Sequence, residues 1–185
     1  MARDRELLES ALLVVRCQRG DRQAFEGIVA LWERKLFYYL RRLAANEADA
    51  WEMLQETWLK LFRSLPQLRD PQTLPAFAYR IAHNVAVGRL RRRGEQLQLG
   101  IDAEEVFDES AGNDIASFHN ADEVHRALDQ LPLVQREALT LYFLEDLSLD
   151  EMATLLGVPL GTVKSRLHYG KLAMRKIFEC GGKHV

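Results

Sequence analysis

The sequence predicts an all-α protein: two small helical domains joined by an acidic flexible linker, with a helix-turn-helix as the C-terminal domain. Three observations carry this. Apolar residues recur at intervals of three and four, as Phe25, Ile28, Val29, Trp32, Leu36 and Leu40 in one run and Leu54, Trp58, Leu61 and Leu65 in another. Strand-like alternation is absent. Residues 94–123 hold nine acidic residues and three glycines with no Lys or Arg and little periodicity, which reads as a connection between two packed parts.

Taken in order, the patterning places helices near 5–18, 22–44, 47–64 and 73–93, then near 122–130, 133–145, 149–156 and 160–178. The two apolar runs fall on the second and third of these. Pro66, Pro71 and Pro75 bracket LPQLRDPQTLP, which is expected to be a structured loop rather than helix interior. The fourth helix has an apolar face of Ile81, Val85 and Leu90, and Pro132 opens the sixth after Leu131. The predicted divisions are a first domain over 1–93, a linker over 94–121 and a second domain over 122–185.

Hydrophobic residues make up 48% and charged residues 28% of the chain, a balance that supports a packed core. The two cysteines, Cys17 and Cys180, form no CxxC pair and no disulfide framework, which fits a reducing cytoplasm. No run is long and apolar enough for a signal peptide or a membrane span, so neither export nor membrane insertion is expected. A net charge of −2 predicts no polyanion partner for the chain as a whole, and a nucleic-acid reading must rest on where the charge sits. Walker, GxSxG and HExxH motifs are absent, and no cofactor or metal is expected. Cys180 and His184 near the tail fall well short of a zinc ligand set.

In LSLDEMATLLGVPLGTVKSRLHYGKLAMRKIF, residues 147–178, Ala153, Gly157 and Val163 have the spacing of a helix-turn-helix. A small residue admits the second helix, a glycine takes the positive φ that ends the first, and a valine fills the angle between them. Pro159 sits at the start of the second helix. There Val163, Leu167 and Met174 point inward, leaving Thr162, Ser165, Arg166 and Tyr169 on one stripe and Lys164, His168, Lys171 and Arg175 on another. Residues 159–185 hold six Lys or Arg against one Glu, enough charge to hold phosphates if the helix enters a major groove. A helical hairpin with a solvated basic face is the other reading of these residues alone.

In the first domain, RIAHNVAVGRLRRR carries Arg80, Arg89, Arg91, Arg92 and Arg93. Basic residues in a last turn complement the helix dipole, yet four arginines in five residues exceed what capping needs. Phe77 and Tyr79 begin the same helix beside the proline-bracketed loop. Aromatics and arginines at such a junction suit stacking on unpaired bases, and they equally suit a core.

Read together, GDRQAFEGIV at 20–29, DAWEMLQETWLKLF at 49–62, FAYRIAHNVAVGRLRRR at 77–93, LPLVQREALTLYFLEDLSLDEMATLLGV at 131–158 and GTVKSRL at 161–167 resemble, in order and spacing, the extracytoplasmic-function (ECF) sigma factors of the sigma-70 family. The resemblance implies a non-enzymatic factor that binds core RNA polymerase, recognises promoter DNA and helps melt it. Its first domain would bind the beta-prime clamp through Asp49, Glu52, Gln55 and Glu56. It would meet the minus-ten element through Arg69, Phe77, Tyr79, Arg80, Asn84, Arg89, Arg91 and Arg92, with the loop 67–76 and Asn84 holding a flipped base.

The second domain would meet the beta flap and read the minus-thirty-five element through Thr162, Lys164, Ser165, Arg166, His168, Tyr169 and Lys171. The acidic linker would thread the polymerase active-site and RNA-exit channel, or act as a plain tether. An anti-sigma factor is a further partner that the family implies. Trp51 stands where the family has an acidic residue, Phe77 where it has Trp and Tyr169 where it commonly has Arg. Two other readings stay open: a helix-turn-helix regulator acting without polymerase, and a sigma-like mimic that only binds an anti-sigma factor.

Overall fold

The computed structural model describes residues 2–94, 121–143 and 147–181. These form eight α-helices and no strand, in two compact units over 1–95 and 96–185. The expected linker at 94–121, except its end positions, and His184 lie outside the described residues, as does the side chain of Cys180.

The first unit consists of α1 (Ala2–Gln18), α2 (Arg22–Leu43), α3 (Glu47–Ser64) and α4 (Leu74–Arg92), packed with α2 against α1, α3 and α4. Gly20 turns the chain at φ 91°, and Asp21 caps α2 by accepting from the amides of Gln23 and Ala24. Arg16 donates to the same carboxylate at 2.7 Å and holds Asp21 below the usual carboxylate range. The predicted apolar runs supply the core: Ile28, Leu36, Leu40, Leu54 and Leu61 are at most 1% exposed. Trp32 joins them with its indole N–H donated to the buried hydroxyl of Ser10 at 3.0 Å.

The proline-bracketed segment is more regular than a loop. It contains two 3₁₀ turns, Leu65–Gln67 and Pro71–Thr73, each with proline in its first positions, and Pro75 lies in the first turn of α4. Proline fixes φ near a helical value and lacks an amide to satisfy, so these are helix starts rather than breaks. Gln18 of α1 clips the segment in place by donating to the carbonyls of Leu65 and Leu68 at 3.2 and 2.8 Å.

α3 and α4 are joined by charge as well as by packing. Asp49, in the first turn of α3, has a 2% exposed side chain. Its carboxylate accepts a two-pronged contact from Arg93 at 2.8 and 2.8 Å, one from Arg89 at 3.0 Å and the Ala45 amide at 3.2 Å. Four donors at one buried anion offset the cost of taking it out of water.

In the second unit α8 (Leu160–Gly181) packs on α5 (Ala121–Asp129), α6 (Leu133–Phe143) and α7 (Leu149–Leu156). α6 was expected to run to 145; it is described as far as Phe143, and 144–146 lie outside the described residues. α7 opens on a capping box: Ser148 accepts the Glu151 amide, and Glu151 accepts the Ser148 amide at 2.8 Å. It closes at Gly157 in the left-handed conformation, φ 66° and ψ 35°, whose amide returns to the Ala153 carbonyl. Val163, the expected plug, is 0% exposed, and Leu167 and Met174 are buried beside it. At Gly170 an added Cβ would stand 3.0 Å from a methyl of Leu139, which sets how closely α8 approaches α6.

Replacing Asp49 with Ala removes the anion that Arg89 and Arg93 share and is expected to lower the stability of the first unit by about 2 kcal/mol. Trp32, Trp51 and Trp58 all lie in this unit, so the urea midpoint of tryptophan fluorescence reports it alone. Gly157→Ala forces a Cβ into the left-handed region and is expected to lower the far-UV circular dichroism melt of the second unit, with a cost of about 1 kcal/mol.

Candidate nucleic-acid and protein interfaces

The outer side of α3 is acidic and partly apolar. Glu52 is 64% exposed, Gln55 is exposed and Glu56 half-buried, at spacings that put all three on one side of the helix. Lys60 lies 2.8 Å from Glu56 and holds its carboxyl below the usual range, so Glu56 is an anion at neutral pH. Asp49, grouped with these residues on the resemblance, does not share their surface: it is turned inward onto Arg89 and Arg93, because an anion with four internal donors has no lone pair directed at solvent.

Sequence reasoning passed over two exposed apolar side chains of this helix, Leu59 and Phe62, at 59% and 55%. Both stand outside the apolar register Leu54, Trp58, Leu61 and Leu65, and that mismatch was the available signal. Trp51 is 42% exposed and lies over Phe37 of α2 at 4.2 Å between ring centroids, so the position that departs from the acidic pattern presents a supported aromatic face.

On α4 the expected promoter residues separate into three groups. Phe77, Arg80, Asn84 and Arg91 follow one another at spacings of three, four and seven and share a stripe, with Phe77 half-buried and the other three exposed. Tyr79 does not belong to it. At 1% exposure it is core, meeting Tyr39 and Trp32 edge-on at 5.4 and 6.3 Å, because position 79 faces α2 where position 80 faces out.

Arg89 and Arg92 form the third group and point toward α3. Arg89 is 21% exposed and bonded to Asp49 and to Glu52 at 2.6 Å. Arg92 is 68% exposed, with Nε on the Gly88 carbonyl at 3.2 Å and a terminal nitrogen 3.8 Å from Glu56. Arg69 is exposed between the two 3₁₀ turns.

On α8, Thr162, Lys164, Arg166, His168 and Tyr169 are half-buried, their residue positions running along the first turns after the helix-turn-helix corner. The rings of His168 and Tyr169 meet edge-on at 5.4 Å. Ser165 differs from its expected role as a contact: it is 9% exposed, and its hydroxyl donates to the Thr162 carbonyl at 2.9 Å. A short hydroxyl in a helix satisfies itself on the preceding turn. Lys171 lies 5.5 and 5.4 Å from the rings of Tyr142 and Phe143 at the end of α6, and this cation–π contact ties it to its own unit.

Among the described residues no group of three or more His, Cys, Asp or Glu could hold a metal ion, and no helix is long and apolar enough to cross a membrane.

The profile of sigma-70 region 2 matches residues 28–96, and that of sigma-70 region 4 matches 121–174. The RNA polymerase sigma-H factor of Pseudomonas aeruginosa is 35% identical, covering 90% of this chain and 92% of the relative. The ECF RNA polymerase sigma factor SigW of Bacillus subtilis is 27% identical over 86% and 91%. Among solved structures, the sigma factor RpoE of Bartonella quintana, in complex with the anti-sigma factor NepR, superposes with a TM-score of 0.65 at 25% identity, covering 84% of this chain and 96% of that one. CnrH, in complex with the cytosolic domain of CnrY, gives 0.66 at 19% identity over 93% and 98% and shares the fold. With its two matched regions in the same order and near-complete coverage of relatives of this class, the chain belongs to the sigma-70 family of RNA polymerase sigma factors, in its extracytoplasmic-function group.

Proposed function

We propose that this chain is an alternative sigma factor that binds core RNA polymerase in the cytoplasm, brings it to a set of promoters and opens the start region through binding energy, without covalent chemistry of its own. One observation carries the division of labour: a single helical unit exposes an anionic edge on α3 and a cationic, aromatic stripe on the neighbouring α4. An acidic edge repels nucleic acid and suits a basic protein surface. A stripe of Arg80, Asn84, Arg91 and Phe77 suits a single strand, with phosphates on the arginines and a base against the ring.

In this reading the unit over 1–93 meets the polymerase beta-prime clamp with Glu52, Gln55 and Glu56, and Asp49 positions them from inside. It meets the minus-ten element with Phe77, Arg80, Asn84 and Arg91, and with Arg69 from the loop. Arg92, the more exposed arginine of the α3-facing pair, is free to swing from the carboxylate 3.8 Å away to a phosphate.

The unit over 122–185 lays α8 in the major groove of the minus-thirty-five element through Thr162, Lys164, Arg166, His168 and Tyr169. Ser165 and Lys171 hold the helix rather than the DNA. The same unit meets the beta flap. The B. quintana relative is held by an anti-sigma factor, and a partner of that class is proposed here as well.

Two outcomes test this reading. The full-length protein is expected to co-elute with bacterial core RNA polymerase on a sizing column. The Glu52→Ala, Gln55→Ala, Glu56→Ala triple variant is expected to lose roughly 100-fold in affinity while keeping its urea midpoint, as for removal of clustered anchor residues. Failure of the parent to bind core with duplex binding intact would favour a free regulator. For the assembled holoenzyme on promoter DNA, binding is expected to fall steeply as salt rises, and Arg91→Ala is expected to reduce the slope of log K against log salt by about 1.

A further inference from the structure

We propose that Arg89 is a positioning residue for the polymerase-facing edge of α3: the buried carboxylate of Asp49 holds its guanidinium, and the guanidinium holds Glu52 outward in one rotamer. The proposal rests on the sigma-factor reading, because it needs Glu52 to face a protein partner.

The geometry is a relay of three side chains. Arg89 Nη1 donates to Asp49 Oδ1 at 3.0 Å and lies 3.3 Å from the Asp49 carbonyl. Its Nη2 donates to Glu52 Oε2 at 2.6 Å. Exposure rises along the relay, from 2% at Asp49 through 21% at Arg89 to 64% at Glu52. A planar guanidinium is suited to span two acceptors at a fixed angle, whereas a single ammonium is a point charge. The contact to Glu52 is made through Oε2, leaving Oε1 for a cation on the partner. A long exposed glutamate otherwise loses rotamer freedom when it is bound, and one ordered in advance avoids part of that loss.

As a phosphate contact Arg89 is the poorest of the arginines at this end of α4. Both terminal nitrogens are committed inside the unit, and drawing them to DNA would release Glu52 and leave Asp49 with Arg93. Arg91 on the outward stripe is exposed and faces away from α3.

The test is a double-mutant cycle on the affinity of the full-length chain for immobilised bacterial core polymerase. Arg89→Ala is expected to weaken binding roughly tenfold in the parent and to add nothing in a Glu52→Ala background, a coupling usual for contacting side chains. Arg89→Lys keeps a cation on Asp49 and is expected to retain the parent's urea midpoint, yet it loses most of the same affinity because one ammonium cannot hold both carboxylates. Equal losses in both backgrounds would overturn the proposal. So would unchanged core affinity together with a salt slope for promoter DNA lowered by about 1, as for Arg91→Ala, since Arg89 would then be a DNA contact. Failure of the parent itself to bind core removes the sigma-factor reading and the proposal with it.

Discussion

The buried carboxylate of Asp49 is the constraint on which the first unit depends. Taking an anion out of water is costly, and the fold meets that cost chiefly by bringing Arg89 and Arg93 across from the end of α4. Hydrophobic contacts between α3 and α4 leave some freedom to slide. A forked contact to a single carboxylate leaves little, because its two hydrogen bonds are lost together when the register shifts. The acidic edge of one helix and the arginine stripe of the next are thereby held at a fixed offset, as the proposed division between protein and DNA contacts requires.

The second unit is shaped by devices of a different kind. Its corner is set by local devices: the capping box at Ser148 and Glu151, the left-handed Gly157, and Val163 filling the angle. α8 is then pressed against α6 at Gly170 and Leu139, and Lys171 spans the rings at the end of α6. These contacts orient the helix, while the Ser165 hydroxyl is turned back onto the Thr162 carbonyl.

Most of this architecture was legible in the sequence, because helical periodicity, glycine at a turn and proline at a helix start act over a few residues. The corner of the helix-turn-helix was legible from Gly157, which takes the left-handed conformation, and Val163, which is buried. What escaped was any relation across long separation. The arginine excess at 89–93 was noticed, but its partner stands 40 and 44 residues earlier, and no local pattern connects them. Tyr79 was read as an aromatic at a functional junction when its one-residue offset from Arg80 puts it in the core. Three prolines in eleven residues suggest interruption and hence a loop, whereas each sits where its missing amide is harmless and the segment forms 3₁₀ turns.

The placement of the Asp49 clasp bears on how the chain is made. Synthesis runs from the N-terminus, so Asp49 leaves the ribosome long before the arginines that neutralise it, and Arg93 is nearly the last residue of its unit. Until that residue emerges, α3 carries an unmatched charge on the side it must bury, and hydration of that charge opposes early docking. The full set of donors to Asp49 therefore exists only when the sequence of the unit is nearly complete.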